Sequence, residues 1–197
     1  MKIHSVLHLA AVLAGCLLLL AGCGGSVTNP RYDSYGDVTF AEGEKPHVVI
    51  ETNFGSMVFE LWPDVAYIHC QNFVYLAATG FYDSLTFHRV VPGFVIQGGD
   101  PNGNGTGGPG YTIPAEFSDK PHVDGTLAMV HSSGDDNSAG SQFFVCLARL
   151  YNLDGHYTVF GQLVEGNDVL HAIEHVPTNR ERPVEPVVMT RVYAVRE

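Results

Sequence analysis

The sequence predicts a mainly β fold, in which seven or eight short strands form a closed antiparallel barrel capped by two helices. Hydrophobic residues make up 45% of the 197-residue chain and charged residues only 16%, which favours one globular domain with a sizeable core. The 22 glycines and 11 prolines indicate many turns between short elements. Most apolar segments have the length and spacing of strands, and only two have the spacing of a helix.

The first predicted elements are a β-hairpin and a helix. The segments "HVVIET" and "GSMVFELW" flank a turn at residues 53–55, as expected for a hairpin. The following "PDVAYIHCQNFVYLAATG" changes to helical spacing, with Pro63 and Asp64 suited to its start and Gly80 to its end. One face of this helix is expected to be apolar and to consist of Ala66, Cys70, Phe73, Val74 and Ala77.

Five more strands, a second helix and a last strand are predicted along the rest of the chain. The five strands are expected at residues 85–91, 94–98, 125–131, 142–147 and 157–164. The segment "EGNDVLHAIEHV" predicts a second short helix, and "PVVMTRVYAV" predicts the final strand. The folded domain is therefore expected to span residues 46–197.

The first 22 residues have the pattern of an export signal. Lys2 precedes an almost wholly apolar stretch that ends in "LAGC", with small residues just before Cys23. This ending resembles the lipobox of bacterial lipoproteins, in which the cysteine is acylated and becomes the first mature residue. The resemblance implies a signal peptide at residues 1–22 and a lipidated Cys23 that opens a flexible tether at residues 23–45. The protein is then expected in the cell envelope, lipid-anchored on the extracytoplasmic side of a bacterial membrane.

Two alternatives for this segment remain. A second "LAGC" ends at Cys16, but cleavage there would leave Leu17–Leu20 on the mature protein. An uncleaved membrane anchor would need about 20 apolar residues to span a bilayer, and the stretch falls a little short of that length.

The charge and the cysteines argue against several classes of protein. The formal net charge is −11 and no run of Lys or Arg exists, so no nucleic-acid partner is expected. Cys70 and Cys146 lie in apolar contexts, which predicts two free buried thiols. The chain has no CxxC pair that would indicate a redox or zinc site.

Three short motifs are weak indications of other chemistry. The segment "GNGTGG" at residues 103–108 matches a dinucleotide-binding pattern, but a proline follows where a helix is required, so a surface loop is predicted. His171 and His175 are four residues apart on the second helix but lack the rest of a metal-binding pattern. Ser141 lacks a G-x-S-x-G environment, so hydrolase chemistry is only a weak option.

Arg89 is unusual because it lies in the apolar segment "TFHRVVPGFVIQGGD". Arginine is rarely buried unless it is paired, since removing its charge from water is costly. From the residues alone, Arg89 would be assigned to the rim of the barrel, paired with an acid. The apolar residues around it would be assigned to ordinary barrel core.

Four ordered segments resemble the cyclophilin-type peptidyl-prolyl cis-trans isomerases. They are "FHRVVPGFVIQGGDPNGNGTGGPGY", "GTLAMVHS", "SAGSQFFV" and "LDGHYTVFGQLVEG", at residues 87–111, 125–132, 138–145 and 153–166. The likeness runs from about residue 46 to the C-terminus and is greatest to bacterial single-domain members, here in a lipoprotein form. It implies a closed eight-stranded antiparallel barrel capped by two α-helices, in agreement with the periodicity.

The resemblance also implies an activity and a site. Arg89 matches the catalytic arginine of the family, which donates to the twisted prolyl amide. Gln97 matches the glutamine that holds this arginine in place, and Phe94 and Phe144 match the aromatic walls of the proline pocket. The implied substrate-binding positions are His88, Phe94, Val95, Gln97, His131, Gln142, Phe144, Leu153 and Tyr157.

Some positions depart from the family's usual residues. Val95 replaces a frequent methionine and Tyr157 a common histidine. His131 stands where many members have an asparagine that bonds to the substrate backbone. The resemblance therefore predicts the class of reaction but not the affinity for substrate. Asn152 stands where drug-sensitive members have a tryptophan, which weakens the expectation of cyclosporin binding.

The implied function is a peptidyl-prolyl cis-trans isomerase that accelerates X-Pro isomerisation and the folding of exported proteins. It would act as a monomer on proline-containing segments and would need no cofactor and no metal. The alternatives are a cyclophilin-like binding or chaperone module without significant turnover, and a structural envelope lipoprotein. Arg89 favours the enzyme, because a protein that only binds proline segments does not need this arginine.

Overall fold

The structure is a computed structural model that describes residues 34–195. The predicted signal peptide at residues 1–22 and Cys23 lie outside the described residues. The two α-helices are α1, Tyr67–Ala78, and α2, Asn167–Glu174. The strands are β1, His47–Thr52; β2, Gly55–Leu61; β3, Arg89–Val91; β4, Val95–Gly98; β5, Thr126–Met129; β6, Phe143–Cys146; β7, Val159–Glu165; β8, Thr178–Asn179; β9, Arg182–Pro183; and β10, Met189–Val195.

Eight of these strands form one curled antiparallel sheet. Their order across the sheet is β10-β1-β2-β7-β5-β6-β4-β3, and β8 and β9 pair separately as a small hairpin. The mainly β class, the two helices and the hairpin of β1 and β2 confirm the prediction. The β8–β9 hairpin was not predicted from the sequence.

The regular pairing leaves β3 and β10 as the two ends of the sheet, so the ladder by itself forms a half-barrel. Residues just before β3 nevertheless bond to residues at the start of β10 and just before it. Phe87 N–H donates to the carbonyl of Val187 at 2.9 Å, and Met189 N–H donates to the carbonyl of Leu85 at 2.8 Å.

The interior of the curled sheet holds the main hydrophobic core. The predicted apolar face of α1 lies against it, and Ala66, Cys70, Phe73, Val74 and Ala77 are all buried. The Phe73 ring contacts the ring of Phe143 on β6 edge-on, with ring centres 5.3 Å apart. Burial of these apolar side chains is the main contribution to the stability of the fold.

Helix α1 begins three residues later than the Asp64 start that the sequence suggested. Residues 63–65 form a turn, in which Val65 N–H donates to the carbonyl of Trp62. The first helical N–H groups then need partners outside the helix. Ile68 N–H and His69 N–H donate to the carboxylate of Glu116, which caps the helix from a distant loop. At the other end, Gly80 adopts φ +73° just after the helix, as expected for a C-terminal glycine.

Residues 34–45 lie against the folded domain. The sequence analysis assigned them to the tether because they lack periodicity. Val38 is fully buried, and its carbonyl accepts a hydrogen bond from the side chain of Gln71 on α1. The Tyr35 ring stacks on that of Tyr111, with centres 5.5 Å apart. Isolated aromatic and apolar residues gave no periodic signal in this segment, although Val38 is buried in the core and Tyr35 packs against it.

Cys70 and Cys146 are both free and buried, which confirms the prediction of two unpaired thiols. Burial raises the pKa of Cys146 to about 12, so its thiol stays protonated and unreactive at neutral pH. Within residues 34–195, neither helix is long and apolar enough to cross a membrane.

Candidate active site

The candidate site lies on the outer face of β4, β5 and β6. Successive side chains of a strand point to opposite faces of a sheet. On β6, Phe143 and Val145 therefore belong to the main core, whereas Phe144 and Cys146 belong to a second, smaller apolar cluster. On β4, Val95 belongs to this outer cluster and Ile96 to the inner core.

A small cavity of about 80 Å³ opens on this outer face. It is lined by Arg89, Phe94, Val95, Gln97, Val130, Phe144, Leu153 and Tyr157. The structure therefore brings together the predicted catalytic arginine and most of the predicted substrate-binding residues. His88, His131 and Gln142 lie outside this cavity, and Val130 was not predicted.

The apolar wall of the cavity is supported from behind. The Phe144 ring meets the Tyr157 ring edge-on, with centres 5.4 Å apart. On its other side it stacks on His122, with centres 6.0 Å apart and an angle of 13° between the planes. Phe144 is only 4% exposed, so neighbouring side chains fix the position of this wall. His122 is therefore a supporting residue that the sequence analysis did not identify.

The His122 imidazole is bonded on one side only. Its Nδ1 lies 3.1 Å from a carboxylate oxygen of Asp154, whereas its buried Nε2 has no hydrogen-bond partner within the described part of the chain. Arg149 bonds to the same carboxylate and to the carbonyl of His122. Burial lowers the pKa of His122 below its ordinary value, and the opposing effect of Asp154 is smaller.

Arg89 is the first residue of β3, and its side chain reaches the edge of the cavity. The guanidinium carbon lies 5.9 Å from the centre of the Phe94 ring, at the distance of a cation–π contact. The Nε–H group donates to Oε2 of Glu181 at 2.7 Å. Thus the arginine is paired with an acid, as expected for a rim arginine, and also lines the cavity.

Gln97 was expected to hold the arginine in place, and the structure sets it beside Arg89 on the neighbouring strand. Gln97 is the cross-strand partner of Arg89, and its Nε2 donates to Oε1 of Gln142 at 3.0 Å. The Nε2 of Gln142 donates in turn to the carbonyl of Gly107 at 2.9 Å. These bonds link the cavity to the neighbouring loop, and the direct support of the guanidinium comes from Glu181.

A larger groove of about 590 Å³ adjoins the cavity and shares Val130 with it. The groove is lined by residues of the "GNGTGG" loop and by His131 and Gln142, so two of the predicted binding residues lie here. The Asp100 carboxylate organises the loop by accepting hydrogen bonds from backbone N–H groups, including that of Gly107. Although burial acts to raise it, these donors hold the pKa of Asp100 below its ordinary value.

His131 connects the groove to the cavity. Its ring stacks on Tyr157, with centres 4.6 Å apart. Its Nε2 lies 2.8 Å from the carbonyl oxygen of His156, and its Nδ1 lies 3.1 Å from that of Ser132. Asn152, at the position of the missing tryptophan, is exposed beside Leu153 at the cavity rim.

His88 occupies a different environment although it precedes Arg89 in sequence. It is 8% exposed and lines a separate cavity of about 70 Å³ together with Arg182. Burial lowers the pKa of His88 below its ordinary value, against the smaller opposing effect of Asp100. The structure thus places His88 in a separate cavity and outside the apolar one.

His171 lies on α2 and His175 directly follows it, and both ring systems bond to protein groups. His171 bonds through its ring nitrogens to Glu174 and Asp124, and His175 bonds to the carbonyl of His171. No group of three or more metal-ligating side chains was found among residues 34–195.

The geometry combines a small apolar cavity with a guanidinium at its edge. Such a cavity can hold one compact apolar ring, and the guanidinium can donate hydrogen bonds to an amide next to that ring. Sequence reasoning missed Glu181 and His122, because each acts on a residue far away in the chain. Glu181 lies 92 positions from Arg89, and no local pattern records that contact.

Comparison with known proteins gives a consistent result. The family model of the cyclophilin type peptidyl-prolyl cis-trans isomerases matches residues 47–194. A peptidyl-prolyl cis-trans isomerase of Synechococcus elongatus is 51% identical over 114 residues, which cover 58% of this chain and 77% of the relative. The human peptidyl-prolyl cis-trans isomerase-like 1 is 40% identical over 157 residues, which cover 76% of this chain and 93% of the relative.

A solved structure is also similar. It is the crystal structure of a Cryptosporidium parvum cyclophilin type peptidyl-prolyl cis-trans isomerase in the presence of the dipeptide Ala-Pro. Its sequence is 34% identical, the TM-score is 0.73, and the match covers 77% of this chain and 99% of that one.

Proposed function

This chain belongs to the cyclophilin-type peptidyl-prolyl cis-trans isomerase family, and we propose that Arg89 and the apolar cavity beside it carry its activity. The protein is a peptidyl-prolyl cis-trans isomerase, which accelerates rotation about X-Pro bonds. The observation that carries the proposal is the position of the Arg89 guanidinium at the edge of a cavity walled by Phe94 and Phe144.

The reaction requires a twist of one partial double bond. Uncatalysed X-Pro isomerisation takes tens to hundreds of seconds. Reaching milliseconds requires an acceleration of about 10⁵, which corresponds to roughly 7 kcal/mol off the barrier. No covalent bond is broken, so the reaction needs no nucleophile. What lowers the barrier is a site that favours the twisted amide over the planar one.

The cavity and the arginine would divide this task. The proline ring would enter the cavity, where Phe94, Val95, Phe144 and Leu153 exclude water from one side of the amide. In the twisted amide the nitrogen regains its lone pair, so it becomes a better hydrogen-bond acceptor than in the planar form. Arg89 would donate to this nitrogen or to the preceding carbonyl and act as a preorganised electrostatic stabiliser. Its Nε–H already bonds to Glu181, so the two terminal nitrogens of the guanidinium would face the substrate.

A protease-coupled isomerisation assay tests the role of Arg89. We expect Arg89→Ala to lower kcat/KM by about ten- to thousandfold, or about 1.4 kcal/mol for each factor of ten. Arg191→Ala is a matched control, since Arg191 lies on β10 against Tyr193, away from the cavity. Normal turnover by a correctly folded Arg89→Ala protein would contradict the proposed role.

The proposed substrates are proline-containing segments of polypeptides. A related structure was determined in the presence of Ala-Pro, and the larger groove could accommodate the residues that precede the proline. We propose that one chain suffices, because its own residues already form the apolar cavity and place Arg89 at the edge. We also propose that the hydrogen bonds between residues 84–87 and 187–189 complete the predicted closed barrel.

The proposed location is the bacterial cell envelope, and the proposed clients are exported proteins. The support is the sequence alone: an apolar stretch that ends in Leu20-Ala21-Gly22-Cys23. A single acyl chain holds a protein only weakly, whereas two chains give stable anchoring. The acidic chain would gain nothing from anionic lipid head groups, so the lipid on Cys23 would have to do the anchoring.

Mass spectrometry of the mature N-terminus tests this location. We expect residues 1–22 to be removed and Cys23 to carry a diacylglyceryl group. Cys23→Ser should abolish membrane retention while kcat/KM stays unchanged, because the active-site cavity is built from residues far along the chain. An unmodified Cys23, or an intact Met1 on the membrane-bound protein, would contradict the lipoprotein proposal.

A further inference from the structure

The β8–β9 hairpin has a strained turn next to the proposed catalytic arginine. Its two turn residues, Arg180 and Glu181, have φ values of +50° and +68°. Two-residue hairpin turns of this kind normally contain asparagine, aspartate or glycine, because other residues rarely adopt positive φ. Neither turn residue here belongs to that set. Strained backbone of this kind clusters at functional sites, where surrounding contacts maintain it.

Glu181 makes two contacts with β3 that maintain this conformation. Its backbone carbonyl accepts a hydrogen bond from Val90 N–H at 2.7 Å. Its side-chain Oε2 accepts the Nε–H of Arg89, also at 2.7 Å. One residue of the hairpin therefore holds both the backbone of β3 and the side chain of its first residue.

The ion pair between Arg89 and Glu181 contributes little to the stability of the fold. The side chains of Arg89 and Glu181 are 34% and 52% exposed. Solvent-exposed ion pairs of this kind contribute little to folding, because water and salt screen them. The contact does restrict the orientation of the guanidinium. Without it, the long arginine side chain could adopt many rotamers. The bond engages Nε, and the guanidinium carbon lies 5.9 Å from the centre of the Phe94 ring, which also lines the cavity.

We propose that Glu181 is a positioning residue that orients the Arg89 guanidinium for catalysis. This inference rests on the proposed catalytic role of Arg89. Glu181 does not line the cavity, so it would act on the reaction through the arginine and not by touching the substrate. Holding a catalytic group in its productive orientation removes part of the entropic cost of the reaction.

The first test compares two acids of the same segment. Glu181→Gln removes the charge and keeps the shape of the side chain, and Glu185→Gln makes the same change four residues later at an exposed position not paired with Arg89. We expect Glu181→Gln to lower kcat/KM by about three- to tenfold. The loss should appear in kcat, with KM and the affinity for a proline peptide nearly unchanged. Glu185→Gln should have wild-type kinetics, and the two variants should have equal melting temperatures.

A double-mutant cycle separates positioning from a structural effect. In the Arg89→Ala background, we expect Glu181→Gln to cause no further loss of activity, because the group that it orients is gone. An equal loss in both backgrounds would overturn the inference, as would a wild-type kcat for Glu181→Gln. Glu181→Gly relaxes the positive φ while removing the carboxylate, so it should fold at least as well as the wild type and still lose activity.

The same measurements distinguish this inference from the proposed function. Full activity of Arg89→Ala would overturn the role of the arginine and the positioning role of Glu181 with it. A large loss for Arg89→Ala together with normal turnover for Glu181→Gln would leave the proposed function in place and overturn only the positioning role.

Discussion

The inner and outer faces of β4, β5 and β6 both carry buried side chains, yet they pack in different ways. Phe143 and Phe144 are neighbours on β6 and are 0% and 4% exposed. The Phe143 ring contacts the rings of Phe73, Tyr82 and Phe87, all within the main core. The Phe144 ring contacts the rings of His122 and Tyr157 and lines the candidate active-site cavity.

The difference lies in how completely each face is covered. On the inner face, every aromatic neighbour of Phe143 is itself fully buried. On the outer face, partly exposed residues such as Phe94, Val130 and Tyr157 border the buried ones, and a cavity remains between them. Complete packing stabilises a fold, whereas incomplete packing leaves apolar surface that a ligand can cover. The inner face is thus packed as a core, and the outer face carries the cavity that we propose for binding.

The largest expected effect is that of Phe143→Ala on stability. Removal of this fully buried ring would leave a cavity in the main core, which typically lowers the free energy of unfolding by about 3–5 kcal/mol. Chemical denaturation measures this loss. The kcat/KM of the molecules that remain folded should stay close to the wild-type value, because Phe143 faces away from the cavity. A large loss of activity per folded molecule would show that the two faces are not independent.

Phe144→Ala should have the complementary effect. We expect kcat/KM and the affinity for proline peptides to fall by at least about tenfold, or about 1.4 kcal/mol, because one wall of the cavity is lost. The free energy of unfolding should fall by only about 1.5–3 kcal/mol, less than for Phe143→Ala. Both quantities are measured on the same preparation. If Phe144→Ala lost stability as Phe143→Ala does and kept its activity, then Phe144 would be ordinary core.

Much of the fold could be predicted from the sequence, because its signals are local. The period-two pattern predicted the hairpin of β1 and β2, and the period of a helix predicted the buried face of α1. The same periodicity could not assign Val95 and Phe144 to a binding site. Alternation shows that two faces exist, but which face closes over a core depends on the curl of the whole sheet. Only the resemblance to a family assigned these residues to a pocket.

The contacts that support the site were beyond local reasoning. Glu181 reaches Arg89 from 92 positions away, and the turn that carries it contains none of the residues that usually indicate a hairpin. His122 likewise stacks on Phe144 from a loop outside the regular strands. The family pattern gave Gln97 the role of holding the arginine, and it did not indicate the bond from the guanidinium to Glu181.

The smallest expected effect is a loss of folding stability in mild acid. On the outer face, this loss would come from protonation of His122. Burial lowers the pKa of His122 below the ordinary value of 6.5, so the unfolded state binds a proton more readily than the folded state. The contribution of a neutral His122 is therefore complete above about pH 6.5 and is lost as the pH falls below it. One proton can change the free energy of unfolding by at most about 1.4 kcal/mol per pH unit.

His122→Phe isolates this contribution and links it to the outer face. The variant keeps an aromatic ring behind Phe144 but cannot titrate, whereas His88, whose pKa is also lowered by burial, is unchanged in it. We expect the wild type to lose more stability than His122→Phe between pH 7 and pH 5, as measured by denaturation at each pH. The kcat/KM per folded molecule should also decline more steeply in the wild type, because protonation places a new N–H at the buried Nε2, which has no acceptor among residues 34–195. Parallel pH profiles of stability for the two proteins would show that His122 is not titrating. A steeper loss of stability without a steeper loss of activity would show that the ring behind Phe144 does not control the shape of the cavity.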